Sequence, residues 1–197
     1  HNRLIRTCLP SACSGYSFTT PSGPLTVGIS LDQGVIREYE YFDSGAAQDY
    51  LEAVKVTHNS SGTPIKLLEY GRTNAARPDL ATSMTRYEAT DGSNGRTTSI
   101  AYTFHDVDSN GIKEVTITHP SVSSAKNGPE SSAVDKLYFD TYGHLRWTQD
   151  GEGYVTYMGY DDVSTNGAYA TGRRNLVVQD VDTTTLPASV ASDWSGD

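Results

Sequence analysis

The feature that most constrains the fold is a recurring pattern of short β-branched and aromatic stretches separated by clusters of Gly, Asn, Asp and Ser. Residues 25–31 alternate with the period of two that a half-buried strand requires. Residues 32–34 then supply a turn into a second stretch at 35–42. Connections of hairpin length are too short for the crossover that a parallel pair needs, so they favour antiparallel pairing.

The same pattern predicts about ten strands in total. Further stretches occur at residues 54–56, 65–70, 97–104, 112–118, 136–139, 145–148, 154–160 and 176–181. We therefore predict an all-β fold, an antiparallel β-hairpin meander that forms an open sheet or a partial shell. Residues 46–54 also fit a helix, but the stretch is too short to decide. We expect an N-terminal arm at 1–24, a β domain at 25–185 and a C-terminal tail at 186–197.

Charge and composition exclude several classes of protein. Twenty-four acidic and 15 basic side chains give a net charge of −9, so nucleic acid is not an expected partner. No apolar run approaches the roughly 18 residues of a membrane span, so none is predicted. Only 36% of the residues are hydrophobic, which indicates that few apolar side chains are available to form a core. Abundant Thr, Ser, Gly and Tyr beside few Lys favour an extracellular or cell-surface protein.

A repeated motif joins an aromatic–Asp pair to a Gly-x-Leu turn, a later Gly and another Tyr–Asp pair. Its residues are Tyr41, Asp43, Phe104, Asp106, Phe139, Asp140, Gly143, Leu145, Tyr157, Tyr160 and Asp161. The pattern is specific across residues 136–182 and looser across 35–135. It resembles the YD repeat of the Rhs family. In the last copy, Gly172, Arg173 and Leu176 are displaced by an insertion.

The resemblance implies β-hairpin units that wind into a hollow shell around a toxin or form a rigid surface module. This chain departs from that pattern because it is short, carries long insertions and shows no aspartyl self-cleavage segment. A sealed shell from one copy is therefore not expected. Physical reasoning adds that each motif Asp can cap a turn, that Gly143 and Gly153 supply positive φ, and that Tyr157 and Tyr160 need a bulge near Gly159.

One loop matches the opening of a calcium-binding loop, with oxygen ligands at positions one, three and five and Gly111 at position six. Position twelve, where the helical version has Glu, is occupied by Ile117, so a strand-loop-strand site with structural calcium is the prediction. The proposed ligands are Asp106, Asp108, Asn110, Glu114 and the backbone carbonyl of Ile112. The alternative is an Asn–Gly hairpin turn with solvated carboxylates.

Four further residues carry specific expectations. Cys8 and Cys13 are close enough in sequence to form a disulfide in an oxidising compartment, the alternative being two reduced thiols. Asn59 begins a glycosylation sequon. His1 stands where Met would start a complete chain, which indicates a processed product or part of a longer one. As a remote alternative, its amine and imidazole offer the copper ligands that lytic polysaccharide monooxygenases use.

No catalytic residues are predicted, because neither a Gly-x-Ser-x-Gly elbow nor a Gly-rich phosphate loop occurs. We expect a non-enzymatic extracellular structural protein that assembles with copies of itself or with adjoining YD repeats into a fibre or shell. The alternative is a secreted carbohydrate-binding or adhesion module that binds surface glycans. In that alternative Tyr142, Trp147, Tyr154 and Tyr157 would form the sugar-stacking face.

Overall fold

The computed structural model describes residues 3–9, 13–18, 25–29, 34–57, 63–89, 91–106, 111–126, 128–161 and 172–181. Within them the strands are β1 (Arg6–Cys8), β2 (Cys13–Phe18), β3 (Leu25–Ile29), β4 (Ile36–Tyr41), β5 (Leu51–Thr57), β6 (Ile65–Gly71), β7 (Ser83–Tyr87), β8 (Gly95–Phe104), β9 (Ile112–Thr118), β10 (Val134–Phe139), β11 (Leu145–Gln149), β12 (Val155–Tyr160) and β13 (Arg174–Val178). The helical content of the same residues is one 3₁₀ turn at Ser124–Lys126. The predicted all-β fold is confirmed. None of the described helical residues makes a segment long and apolar enough to cross a membrane.

The chain divides into two compact units, residues 1–97 and 98–197. The sheet of the first unit has the strand order β1-β4-β5-β6-β7, and β2 and β3 form a separate hairpin. Strand β8 begins in the first unit and continues into the second, where the order is β8-β9-β10-β11-β12-β13. Every described pairing in both units is antiparallel.

One local prediction for the first unit is wrong. The predicted hairpin between residues 25–31 and 35–42 does not form, because β3 pairs with β2 while β4 pairs with β1 and β5. Strand β1, which lies within the predicted arm, is held on β4 by an ion pair of 2.6 Å between Arg6 and Glu38. Residues 46–54, for which the sequence left a helix open, lie instead in a turn and in the first part of β5, which begins at Leu51.

The core of the second unit is an aromatic row that crosses three strands. Tyr138, Trp147 and Tyr157 occupy opposed positions on β10, β11 and β12, so their side chains share one face. The Trp147 side chain is fully buried, and its ring centroid lies 4.6 Å from that of Tyr157. Val155 and Val181 complete this cluster. Buried hydrophobic residues are few in the described parts of the chain, namely Ile36, Ala47, Ala53, Tyr138, Trp147 and Val155.

The opposite face of the same sheet is apolar but only half-buried. Tyr102 of β8 pairs with Val115 of β9, and Val115 pairs with Leu137 of β10. All three side chains keep intermediate exposure. Along β8 the exposure alternates strictly between exposed and intermediate, as the period of two predicts. The second unit therefore has one well-packed row and one incompletely covered apolar face.

Candidate functional site

Three turns in the second unit share one hydrogen-bond construction. In the first, the Asp140 amide donates to the carbonyl of His144 at 3.0 Å, and the Gly143 amide donates to the carbonyl of Asp140 at 2.9 Å. The same two bonds recur for Asp150, Tyr154 and Gly153, and again for Asp161, Arg173 and Gly172. The three glycines have φ of 85°, 94° and 63°, which an L side chain rarely adopts.

Aspartate side chains close two of these turns. Asp140 Oδ1 accepts from the backbone amides of Tyr142 and His144 at 3.0 and 2.9 Å. Asp150 Oδ1 accepts from the amides of Glu152 and Tyr154 at 3.0 and 2.9 Å. The two carboxylates thus satisfy amide groups that the tight turn leaves unpaired.

The third turn carries the insertion. Residues 162–171, which lie outside the described residues, separate Asp161 from Gly172. The backbone bonds at the two ends of the insertion match those of the short turns. Asp161 Oδ1 accepts from the Asn175 side-chain amide at 3.4 Å. The insertion therefore lengthens a turn of the same geometry rather than replacing it.

The motif aromatics occupy equivalent places in four hairpins. Tyr41, Phe104, Phe139 and Tyr160 each come directly after a shift in strand register. The register shift between Gly159 and Tyr160 is the irregularity that the spacing of Tyr157 and Tyr160 requires.

The motif aspartates are not all equivalent. Asp140 and Asp161 directly follow their aromatic residue, whereas Asp43 and Asp106 come one residue later. In those two hairpins the turn-closing amide belongs to Phe42 or His105, which donate to the carbonyls of Tyr50 and Gly111 at 3.0 and 3.1 Å. Asp43 and Asp106 therefore stand one residue beyond the position that Asp140 and Asp161 occupy, and a capping role for them stays a prediction.

The turns that begin at His105, Asp140 and Asp161 lie along one edge of the second unit, here named the turn edge. His105 Nε2 donates to the Phe139 carbonyl at 3.0 Å, which ties the first of these turns to β10. The His144 ring stacks on Tyr160 with centroids 4.6 Å apart and planes 12° apart. The first and second turns of this edge are thus each attached to the next hairpin by a histidine.

A cleft of about 280 Å³ opens beside the turn edge. Its lining residues are His105, Lys113, Tyr138, Phe139, Asp140, Thr141 and Arg146. Arg146 Nη2 donates to the Tyr157 hydroxyl at 3.1 Å, and its Nη1 lies 3.9 Å from Asp140 Oδ2. We name this the basic cleft, because Lys113 and Arg146 outnumber its single carboxylate.

The first unit has a cleft at the end of the β4–β5 hairpin, which carries Tyr41 and Asp43. Its charge is opposite to that of the basic cleft. It measures about 400 Å³ and is lined by Arg3, Ile5, Tyr39, Glu40, Tyr41, Asp43 and Glu52. Arg3 forms an ion pair of 2.9 Å with Asp49, and its guanidinium lies 5.1 Å from the Tyr41 ring centroid. Three carboxylates around one paired arginine make this cleft acidic.

The predicted calcium ligands are only partly within the described residues. Asp108 and Asn110 lie outside them. Glu114 sits on the face of the aromatic row, where its carboxylate accepts from Thr116 Oγ1 at 2.8 Å and from the Tyr138 hydroxyl at 3.0 Å. Among the described side chains, no three of His, Cys, Asp or Glu gather as a metal site would require. The calcium site stays a prediction.

Other predicted positions also fall wholly or partly outside the description. Cys8 and Cys13 belong to β1 and β2, but their side chains are not among those described. Asn59 and His1 lie outside the described residues.

The predicted sugar-stacking set does not form one exposed face. Tyr142 and Tyr154 are 68% and 55% exposed, but they lie in consecutive hairpin turns and therefore at opposite ends of β11. Trp147 is fully buried, and its ring packs against Tyr157. Trp147 supplies the centre of the core row, so the alternative sugar-stacking face lacks it.

Comparison with known proteins finds no match in sequence and a remote similarity in structure. No family model and no curated protein matches its sequence. Among solved structures, it is similar to the crystal structure of TcdB2-TccC3-Cdc42, with 12% sequence identity and a TM-score of 0.47. The similarity covers 76% of this chain but 7% of that one.

Proposed function

We propose that the chain is a non-enzymatic structural unit of the YD-repeat type, extracellular or on a cell surface, that joins its sheet to another such unit. The recurrent turns support this proposal, because three hairpins in succession are built on one hydrogen-bond plan. Repeats of this kind bury a complete core only when neighbours stack beside them. The few buried hydrophobic residues of the described chain fit a unit that is completed by its neighbours.

The observation that carries the proposal is the exposed apolar edge of β13. All five residues of this strand are exposed, and Leu176, Val177 and Val178 are 49%, 47% and 40% accessible. Strand β13 ends the strand order, and among the described residues it pairs with β12 alone. Natural proteins usually cover or charge such an edge, because its unpaired amides and carbonyls recruit other strands.

In a solution of this protein, the unit available to cover β13 is a second copy of the chain. Strand addition needs only backbone hydrogen bonds and apolar side chains that continue the sheet. Copies with a charge of −9 repel each other, so added salt should strengthen the contact.

Sedimentation velocity over a range of protein concentrations tests this proposal. The wild-type mass should rise with concentration, and Val177→Lys should keep the protein monomeric at concentrations where the wild type associates. Burying one valine contributes about 1.5–3 kcal/mol, so its replacement by a charge should weaken association at least tenfold. The matched control is Val134→Lys on the internal strand β10, where the native valine is 36% exposed.

Val134→Lys should associate as the wild type does. A wild-type protein that stays monomeric at all concentrations would contradict the proposal. Equal loss of association in both variants would also contradict it, because the effect would then arise from added charge and not from the β13 edge.

A further inference from the structure

We propose that the basic cleft of the second unit binds a small organic carboxylate. The cleft lies between the β8–β9 turn, the start of β9 and the β10–β11 turn, away from the β13 edge on which the assembly proposal rests. It brings His105 and Lys113 of the β8–β9 hairpin together with Arg146 of β11. Two permanent cations beside one carboxylate leave the cleft positive in a chain whose net charge is −9.

Arg146 is held in place before any ligand arrives. Its Nη2 donates to the Tyr157 hydroxyl, its guanidinium carbon lies 5.6 Å from the Tyr157 ring centroid, and its side chain is only 14% exposed. A guanidinium with few rotamers left to lose binds a carboxylate at lower entropic cost than a mobile one. Its fork of donors matches the two oxygens of a carboxylate.

Lys113 supplies the second cation. It lines the cleft, and none of the ion pairs among the described residues involves its ammonium. By contrast, the Asp140 carboxylate already accepts two backbone amide bonds and lies 3.2 Å from His144 Nδ1. The one acidic group among the lining residues is therefore engaged by the protein, whereas no described carboxylate pairs with Lys113.

Size and walls limit the ligand to a small molecule. A volume of about 280 Å³ is just below the range of about 300–1,000 Å³ that is typical of small-molecule sites. Phe139 adds an aromatic wall, and Thr141 adds a hydroxyl group. The cleft thus suits a single carboxylate attached to a ring. The acidic cleft of the first unit, with Glu40, Asp43 and Glu52, would repel the same ligand.

Isothermal titration calorimetry with benzoate tests the proposal, with benzamide as the uncharged control of the same shape. Benzoate should bind with one site per chain, and benzamide should bind at least about tenfold more weakly, because it lacks the charge that Lys113 and Arg146 recognise. Lys113→Gln should weaken benzoate binding about tenfold or more. The matched control Lys136→Gln, on the adjacent strand β10 and outside the cleft, should leave it unchanged.

A second pair of probes, glucuronate and glucose, distinguishes an aromatic acid from a sugar acid. Tighter binding of glucuronate than of benzoate, with the same dependence on Lys113, would support the proposal and identify a sugar acid as the preferred ligand. Absence of binding by both acids would overturn it. Equal binding of benzoate and benzamide, or equal effects of Lys113→Gln and Lys136→Gln, would overturn it as well.

Discussion

Replacing the turn aspartates tests whether the recurrent turns stabilise the second unit. Asp140→Ala and Asp150→Ala each remove a carboxylate that accepts two backbone amide bonds of 2.9–3.0 Å. The two aspartates differ in their other contacts. Asp140 also lies 3.2 Å from His144 Nδ1 and 3.9 Å from Arg146 Nη1, and its side chain is only 20% exposed.

These contacts set the expected magnitudes. Removing a side chain that caps backbone amides costs about 0.5–2 kcal/mol, so Asp150→Ala should lower the free energy of unfolding by about 1 kcal/mol. Exposed ion pairs add about 0.2–1 kcal/mol each. With two such partners in a less exposed position, Asp140→Ala should cost about 2–3 kcal/mol.

Urea denaturation followed by tryptophan fluorescence measures these differences. A Trp194→Phe background leaves Trp147 as the reporter, and its full burial beside Tyr157 makes its emission sensitive to loss of the core row. Asp150→Asn serves as the matched variant, since it keeps an acceptor oxygen and should recover most of the loss. Alanine variants with the same free energy of unfolding as the wild type would refute the reasoning. An Asp150→Asn variant as unstable as Asp150→Ala would refute it as well.

Three further predictions address the glycine, the pH dependence and the metal. Gly143→Ala should lower the free energy of unfolding by about 1 kcal/mol in urea denaturation, because φ is 85° and nothing within 4 Å of the new Cβ adds a clash. Hydrogen bonds from Lys66 and Tyr87 hold the pKa of Glu69 below its usual value, so its ionised form stabilises the fold above that value. Acid titration from about pH 5 to pH 2 should therefore erase the stability advantage of the wild type over Glu69→Gln, and a constant difference would contradict this. A calcium chelator should lower the melting temperature of the wild type but not that of Asp108→Ala. An unchanged melting temperature of the wild type would contradict calcium binding and favour an ordinary hairpin turn.

Local patterns predicted most of the second unit, because each of its hairpins is encoded by adjacent residues. The bounds predicted for β9, 112–118, are those of the structure, and β8, β10, β11 and β12 differ by two residues or fewer at each end. The positive φ of Gly143 and Gly153 follows from turn chemistry alone. The register shift at Gly159 follows from the three-residue spacing of two aromatics.

Long-range pairing could not be predicted in the same way. Strand β1 pairs with β4 across more than 25 residues, and nothing in the sequence of residues 32–34 signals that β4 has another partner. Strand β7 was not predicted, because its sequence, Ser-Met-Thr-Arg-Tyr, lacks clear apolar alternation. The basic cleft was also missed, since His105, Lys113 and Arg146 come together only through the register of three strands.

Hydrogen–deuterium exchange at β13 tests the central claim most directly. If a second copy adds a strand there, the β13 amides that face away from β12 should exchange slowly at high protein concentration and rapidly at low concentration. The amides of β12, which pairs with both β11 and β13, supply the internal control and should be protected throughout. Exchange at β13 that does not change with concentration would contradict the account.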